Sequence, residues 1–118
     1  MTYVDGYVIP VPKKKLAAYK KMAQLGKKVW MKNGALEYFE CVGEDLAPKG
    51  MTGFPTLVKP KTGETVVFSF VVFKSRKHRD QVNAKVMKDP MMGSFDPSAM
   101  PFDCKRMTYG GFKTLVQG

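Results

Sequence analysis

Five side chains are the best candidates for chemistry in this sequence. They combine an indole that can stack on a planar compound, a carboxylate that can accept a proton, and donors that suit planar anions. The five are Trp30, Glu40, Arg79, Asn83 and Arg106. If the chain is an enzyme, this set favours a cofactor-free reaction on a small aromatic or carbonyl compound, and non-enzymatic ligand binding is the alternative.

Trp30 and Glu40 each have an ordinary structural interpretation beside the chemical one. A single tryptophan on the buried face of a helix is most often a core residue, although it can also stack on a ligand. Glu40 shares a predicted strand face with Leu36, Tyr38 and Val42, so its carboxylate needs a partner. We expect an ion pair with one of the candidate arginines, and a role as general base is the alternative.

The other three candidates are hydrogen-bond donors. Arg79 and Asn83 are one turn apart on a predicted helix and face the same way. Together with Arg106 they could clamp a carboxylate or phenolate, because a guanidinium offers a planar fork of donors. Structural ion pairs are the more common outcome for such arginines.

Three more polar residues have mainly structural interpretations. Cys41 has no histidine near it in the sequence, so we expect a small buried hydrophobe rather than a nucleophile. His78 lies in a run of charged residues and is expected on a solvated surface, with a general base as the alternative and haem ligation less favoured. Asp103 is predicted to cap or salt-bridge the start of the last strand.

Composition excludes several classes of protein. The chain has 118 residues, 44% of them hydrophobic, with a net charge of +10, two cysteines and one histidine. These values predict a single domain over residues 1–118 without a zinc site or a disulfide framework. No signal peptide, membrane span or glycine-rich nucleotide motif is visible, so we expect a cytoplasmic protein without a metal or cofactor.

Periodicity predicts the elements that position these residues. An apolar stripe opposite a row of lysines predicts a helix over residues 13–33, in which Gly26 indicates a close approach to a strand. A second helix is predicted over 74–88. Strands are predicted over 3–11, ending at prolines, and over 35–42, 65–73 and 105–116, with a short one over 54–59 that forms a hairpin with 65–73. The loop 91–103 is rich in methionine, so we expect it to pack against the rest of the protein rather than to lie free in solvent.

This order of elements predicts an α+β, ferredoxin-like split βαβ fold with an antiparallel sheet. The strands over 3–11 and 65–73 are then central, and the other two main strands lie at the edges. Cys41 and Cys104 would lie at opposite edges, so we expect no disulfide between them.

The strand over 65–73 is apolar on both faces, whereas two helices cover only one face of a four-stranded sheet. Its second face therefore needs a cover, and we expect a homodimer formed through this sheet face. The alternative is a monomer in which the extra hairpin and the methionine-rich loop cover it.

Four ordered motifs resemble a known family. The segments YVDGYVIPVP, GALEYFECVGED, VNAKVMKDP and MPFDCKRMTYGGF are similar to the uncharacterised bacterial YbaA-like family, a domain of unknown function in the dimeric α/β-barrel superfamily. The resemblance implies ferredoxin-like protomers whose sheets pair to form a barrel. Superfamily relatives include cofactor-free monooxygenases, haem-degrading enzymes and small isomerases, so it implies no single activity.

An RNA-binding module is a less favoured alternative. The run FSFVVF (68–73) matches the end of a ribonucleoprotein signature except at Ser69, and the βαββαβ order is shared. However, Val66 and Val67 replace the basic residue and glycine expected before it. The lysines of the first helix also lie away from the sheet, so we do not expect nucleic acid as a partner.

Overall fold

A four-stranded antiparallel sheet forms the centre of the molecule, in the order β2-β3-β1-β4. The computed structural model describes residues 1–118, except the side chains at positions 94 and 97. The strands are β1 Tyr3–Pro12, β2 Glu37–Val42, β3 Glu64–Phe73 and β4 Thr108–Lys113, and the helices are α1 Leu16–Lys32, α2 Pro55–Val58 and α3 Arg76–Lys88. The predicted α+β class and the central positions of β1 and β3 are confirmed.

Strand β1 continues through its prolines instead of stopping before them. Pro10 pairs in register with Val66 and Pro12 with Glu64. Strand β4 pairs only with residues 3–8 of β1, so beyond Val8 the strand is open on one side. A missing N–H on that side costs no ladder bond, which is why proline is tolerated there.

Helices α1 and α3 cover one face of the sheet, as their apolar stripes predict. Val29 of α1 and Val82 and Val86 of α3 are buried against Tyr3 and Phe73 of the central strands. We call this covered side the helix face. No helix in the described chain is long and apolar enough to cross a membrane.

The prediction of a short strand over 54–59, paired with β3 in a hairpin, is wrong. The segment contains the helical turn α2, with Pro55 at its first position and Lys59 in the left-handed region, at φ 44°, at its end. Proline is favoured at the first position of a helix, whereas it cannot donate to a sheet ladder. The two neighbours of β3 are β1 and β2 instead.

The last strand is shorter than predicted. Residues 104–106 form a 3₁₀ turn, and β4 begins only at Thr108. Asp103 caps this turn by accepting a hydrogen bond of 3.0 Å from the backbone N–H of Lys105. The capping alternative for Asp103 is therefore confirmed, but what it caps is a turn that replaces the start of the predicted strand.

The methionine-rich segment packs on the helix face, and we call residues 89–106 the strap. Met92 lies against the core between α1 and α3, and Met100 against the core around Phe102. At one end, Asp89 bonds Lys32 and Asn33, at 3.2 and 2.9 Å. At the other end Arg106 bonds Glu64 at 2.8 Å. The strap is thus tied to the body of the protein at both ends.

The second face of the sheet, which we call the open face, is covered only in part: Val66 is buried on it, whereas Phe39 and Phe68 are exposed. Its phenylalanines form a continuous row, with ring centroids 4.8 Å apart for Phe39 and Phe70 and 5.6 Å apart for Phe68 and Phe70. Phe54, just before α2, contacts one end of the row at 6.0 Å. In its described part, the strap lies on the helix face and does not cover this row.

The two cysteines are free and exposed. Cys41 lies on the edge strand β2, and Cys104 lies in the turn before the other edge strand, β4. The prediction that Cys41 is buried is wrong, because it lies on an edge strand and points to the open face opposite Phe68.

Candidate functional site

Two tyrosine hydroxyls hold the carboxylate of Glu40 on the helix face of the sheet. Tyr19 of α1 donates to Oε1 and Tyr38 of β2 donates to Oε2, each at 2.7 Å. Tyr38 and Glu40 are two residues apart on one strand, so the strand's alternation places both side chains on the same face. The predicted ion pair of Glu40 with an arginine is wrong, because neutral hydroxyls satisfy the carboxylate instead.

The hydroxyls of this cluster are held in their protonated form. Burial raises the pKa of Tyr19 and of Tyr38, and the negative charge of Glu40 raises both further. Burial also raises the pKa of the neighbouring Tyr7. All three tyrosines therefore remain hydrogen-bond donors across the physiological range.

Gly26 makes room for this cluster. A Cβ atom at this position of α1 would lie 2.7 Å from the hydroxyl oxygen of Tyr38, closer than atoms in contact can approach. The predicted close approach of helix and strand at Gly26 is therefore confirmed. A glycine inside a helix costs about 1 kcal/mol of stability relative to alanine. At this position glycine is required because an alanine Cβ would collide with the Tyr38 hydroxyl.

Two cavities meet at Glu40. The inner chamber, about 340 Å³, lies between the sheet, α1 and the strap, and the outer chamber, about 350 Å³, lies between α1 and β2. Both are lined by Tyr19, Ala23, Tyr38 and Glu40. The remaining walls of the inner chamber are mainly aromatic and thioether side chains, among them Tyr7, Met22, Trp30, Met92, Met100 and Phe102.

Trp30 lines the inner chamber, as a stacking residue would. It is half-buried, and its ring centroid lies 6.3 Å from that of Tyr38. Its indole N–H donates to Oδ1 of Asn83 at 3.1 Å, which fixes the ring against α3. The structure thus brings Trp30 and Glu40 to one cavity.

Arg79 and Asn83 face the same way, as predicted, but toward a buried carboxylate of the protein itself. Arg79 donates to Oδ1 of the fully buried Asp5 at 2.8 Å, and Asn83 lies 3.5 Å from its other oxygen. Arg79 also donates to the hydroxyl of Tyr109 on β4. Arg79 therefore neutralises Asp5, and Asn83 faces the same carboxylate rather than a ligand.

The backbone of β4 lies close to this network. A Cβ atom at Gly111 would lie 2.5 Å from the hydroxyl of Tyr3 and 3.1 Å from Nη1 of Arg79. The lack of a side chain at Gly111 thus leaves room for the Tyr3 hydroxyl and the Arg79 guanidinium.

Asp5 is the residue of this network that the sequence reasoning missed. A signal for it existed, since it is the single acidic residue between two tyrosines, Tyr3 and Tyr7, on one face of a central strand. A carboxylate at such a position must find a cation or several donors.

Arg106 lies outside the candidate site. Its guanidinium makes two bonds to Glu64, at 2.8 and 2.9 Å, at the beginning of β3. The hydrogen bonds from Arg106 hold the pKa of Glu64 below its usual range. The prediction of a three-residue clamp with Arg79 and Asn83 is therefore wrong.

His78 also lies away from the chambers. It is half-buried rather than fully solvated, and its Nδ1 accepts a hydrogen bond of 2.9 Å from the backbone N–H of Lys74. Its ring stands edge-on to Phe73 at 6.0 Å. These contacts favour a structural role at the beginning of α3.

Comparison with known proteins assigns the chain to a protein family. The chain belongs to the DUF1428 family of proteins of unknown function, whose family model matches residues 2–104. It is 43% identical over 116 residues to the uncharacterized protein YbaA of Escherichia coli strain K12, and 98% of each chain is covered. The YbaA protein of Shigella flexneri matches with the same identity and coverage. The resemblance to an uncharacterised YbaA-like family is confirmed.

Among solved structures, the de novo designed protein Foldit4 is similar with a TM-score of 0.48 and 11% sequence identity. The match covers 99% of this chain and 100% of that chain.

The contacts of Arg79 predict a large structural effect. Arg79→Met leaves the carboxylate of Asp5 buried without its cation, so we expect the free energy of unfolding to fall by about 3–5 kcal/mol. Adding Asp5→Asn to this variant removes the unpaired charge and should recover part of the loss. Urea denaturation of both variants measures the effect.

Arg76→Met, at an exposed position of the same helix, is the matched control and should change stability by no more than about 0.5 kcal/mol. Equal losses for Arg79→Met and Arg76→Met would show that the pair with Asp5 contributes nothing.

Proposed function

We propose that this chain is a ferredoxin-like protomer of a cytoplasmic dimeric α/β barrel, and that its inner chamber binds a small aromatic or carbonyl compound without a cofactor. The observation that carries the proposal is the carboxylate of Glu40, which two tyrosines hold at the edge of a largely apolar cavity. A few polar groups in an apolar concave wall are typical of small-molecule sites.

The carboxylate has acceptor capacity left for a ligand. Each oxygen of Glu40 accepts one tyrosine hydroxyl, whereas a carboxylate oxygen can accept about two hydrogen bonds. Among the described lining residues of the inner chamber, Glu40 is the only carboxylate and no lysine or arginine accompanies it. A ligand with a hydroxyl or amine donor directed at Glu40 would therefore fit this chamber.

The walls favour a planar body. Trp30 offers an indole fixed by Asn83, and Tyr7 and Phe102 add further rings. Met22, Met92 and Met100 have flexible thioether side chains, which adapt to the shape of an aromatic compound. At about 340 Å³, the inner chamber is at the small end of the usual range of ligand cavities.

Trp30 makes binding measurable, because it is the single tryptophan of the chain. Phenylnaphthylamine, a neutral aromatic amine, should quench its fluorescence in a saturable titration. Ala23→Leu fills the junction of the two chambers and should weaken binding of this probe at least about tenfold, since an added side chain occupies the volume that the probe needs.

Ala17→Leu is the matched control, because Ala17 is exposed on the same helix and outside both chambers. Circular dichroism checks that both variants remain folded. Quenching that is unchanged in Ala23→Leu would place the probe elsewhere and contradict the proposed site.

Proton transfer is the second candidate function, and the same carboxylate favours it. Glu40 would remove a proton from the carbon next to a carbonyl, and the electron pair of that C–H bond would move to the carbonyl oxygen as an enolate. Return of the proton to this carbon or another restores a neutral product, so no cofactor is needed. Tyr19 and Tyr38 hold the carboxylate of Glu40 in place for this step through their hydrogen bonds to its two oxygens.

Solvent exchange tests this candidate. In deuterium oxide, the protein should speed deuterium uptake at the α-carbon of a bicyclic aryl ketone such as tetralone, as followed by NMR. Glu40→Gln, which keeps the size but removes the base, should lower the rate by about 10² or more. Equal rates for the wild type and Glu40→Gln would show that Glu40 is not the base and would contradict this candidate.

The open face supports the proposal of a homodimer. Phe39, Phe68 and Phe112 of three different strands are 45%, 43% and 60% exposed, and they lie on one side of the sheet. Neither the two long helices nor the described part of the strap lies over these exposed rings, and Phe54 beside α2 reaches only Phe68 at one end. A second copy would present the same apolar surface and could cover it symmetrically.

Mass in solution tests the dimer. Size-exclusion chromatography with light scattering should give twice the chain mass of 13.2 kDa at micromolar concentration. Phe39→Ser combined with Phe68→Ser should weaken dimerisation by about 10² or more, because buried aromatic anchors dominate such interfaces.

Met87→Ser, 74% exposed on α3, is the control and should leave the dimer intact. A wild-type monomer would overturn the dimer. If that monomer bound single-stranded RNA with strong salt dependence, the RNA-binding alternative would replace it.

A further inference from the structure

The outer chamber has a basic rim. Lys20, Gln24 and Lys27 of α1 line this cavity, and their spacing places them along one side of the helix. Opposite them lie Val42 of the edge strand β2 and Val67 of β3. The outer chamber thus combines apolar walls with two cations, whereas the inner chamber has neither lysine nor arginine among its described lining residues.

These two lysines are available to a ligand. In the described part of the chain, the ion pairs involve Lys32, Arg79 and Arg106, and neither Lys20 nor Lys27 takes part in one. Glu40, the carboxylate that lines the same chamber, is already bonded by two tyrosine hydroxyls. The rim therefore carries positive charge without a bound counter-charge from the protein.

The chambers share a wall at the Glu40 cluster, because Tyr19, Ala23, Tyr38 and Glu40 line both. A single ligand that reaches both chambers would pass this carboxylate. Along that path, the inner end has apolar and aromatic side chains, the middle has the carboxylate acceptor Glu40, and the outer end has the two lysines.

We propose that the ligand is an amphiphilic acid: an aromatic body for the inner chamber, a hydroxyl or amine for Glu40, and a carboxylate, sulfonate or phosphate for Lys20 and Lys27. This deepens the proposed function and rests on it. The acidic group belongs at the rim because Glu40 repels an anion in the inner chamber, while the lysines attract one. The net charge of +10 adds a general attraction for anions.

A pair of probes separates the two proposals. Anilinonaphthalene sulfonate and phenylnaphthylamine share the same rings and amine, and they differ by one sulfonate. We titrate each probe and follow Trp30 fluorescence. The wild type should bind the sulfonate probe about tenfold more tightly than Lys20→Gln/Lys27→Gln does. The neutral probe should bind the two proteins within about twofold.

Lys21→Gln/Lys28→Gln is the matched control, because it removes the same charge from exposed positions of α1 that lie outside the outer chamber. We expect it to change the binding of the sulfonate probe by less than about twofold at moderate salt. If the two double variants weaken the sulfonate probe equally, the effect comes from net charge and the basic rim is not an anion site.

The blocking variant Ala23→Leu completes the test. It should weaken both probes, since both pass the shared junction. Sulfonate binding that persists in Ala23→Leu would place that probe outside the two chambers and overturn the inference. If the neutral probe binds the chamber but the sulfonate gains nothing from Lys20 and Lys27, the inference fails while the proposed function stands. If neither probe depends on Ala23, both fail.

Discussion

The requirement to satisfy one half-buried carboxylate organises the helix face of this protein. Glu40 projects from an edge strand toward α1, and without donors its charge would be costly there. Tyr19 and Tyr38 supply those donors, and Gly26 leaves the space that one of them needs. Both chambers border this cluster. One set of hydrogen bonds thus fixes the position of the acceptor and the wall that the two chambers share.

Much of the fold follows from side-chain periodicity. The stripe that contains Tyr19, Ala23 and Val29 requires a buried helix face, and the doubly apolar β3 requires a central position. The segment around Pro55 was mispredicted because a short apolar run has no periodicity to separate a strand from a helical turn, and the proline at its start decides in favour of the turn.

The candidate site was predictable only in part, because a sequence gives residue types and faces but not partners. Trp30 and Glu40 could be assigned to one side of the sheet from helix and strand geometry. The hydrogen-bond partner of Glu40 could not be predicted in this way, since both an arginine and a tyrosine hydroxyl can donate to a carboxylate. Arg79 forms an ion pair with Asp5 instead. The strand position of Asp5 follows from the sequence, but its pairing with Arg79 does not.

The strap has a mechanical consequence. Its two ends are held by Asp89 and Arg106, each bonded to a different part of the body, while its middle forms a wall of the inner chamber through Met92 and Met100. A segment clamped at both ends can bow outward but cannot swing open on a hinge. The strap can therefore change the width of the inner chamber only by bending between its anchors, and the thioether side chains of Met92 and Met100 set that width on this side.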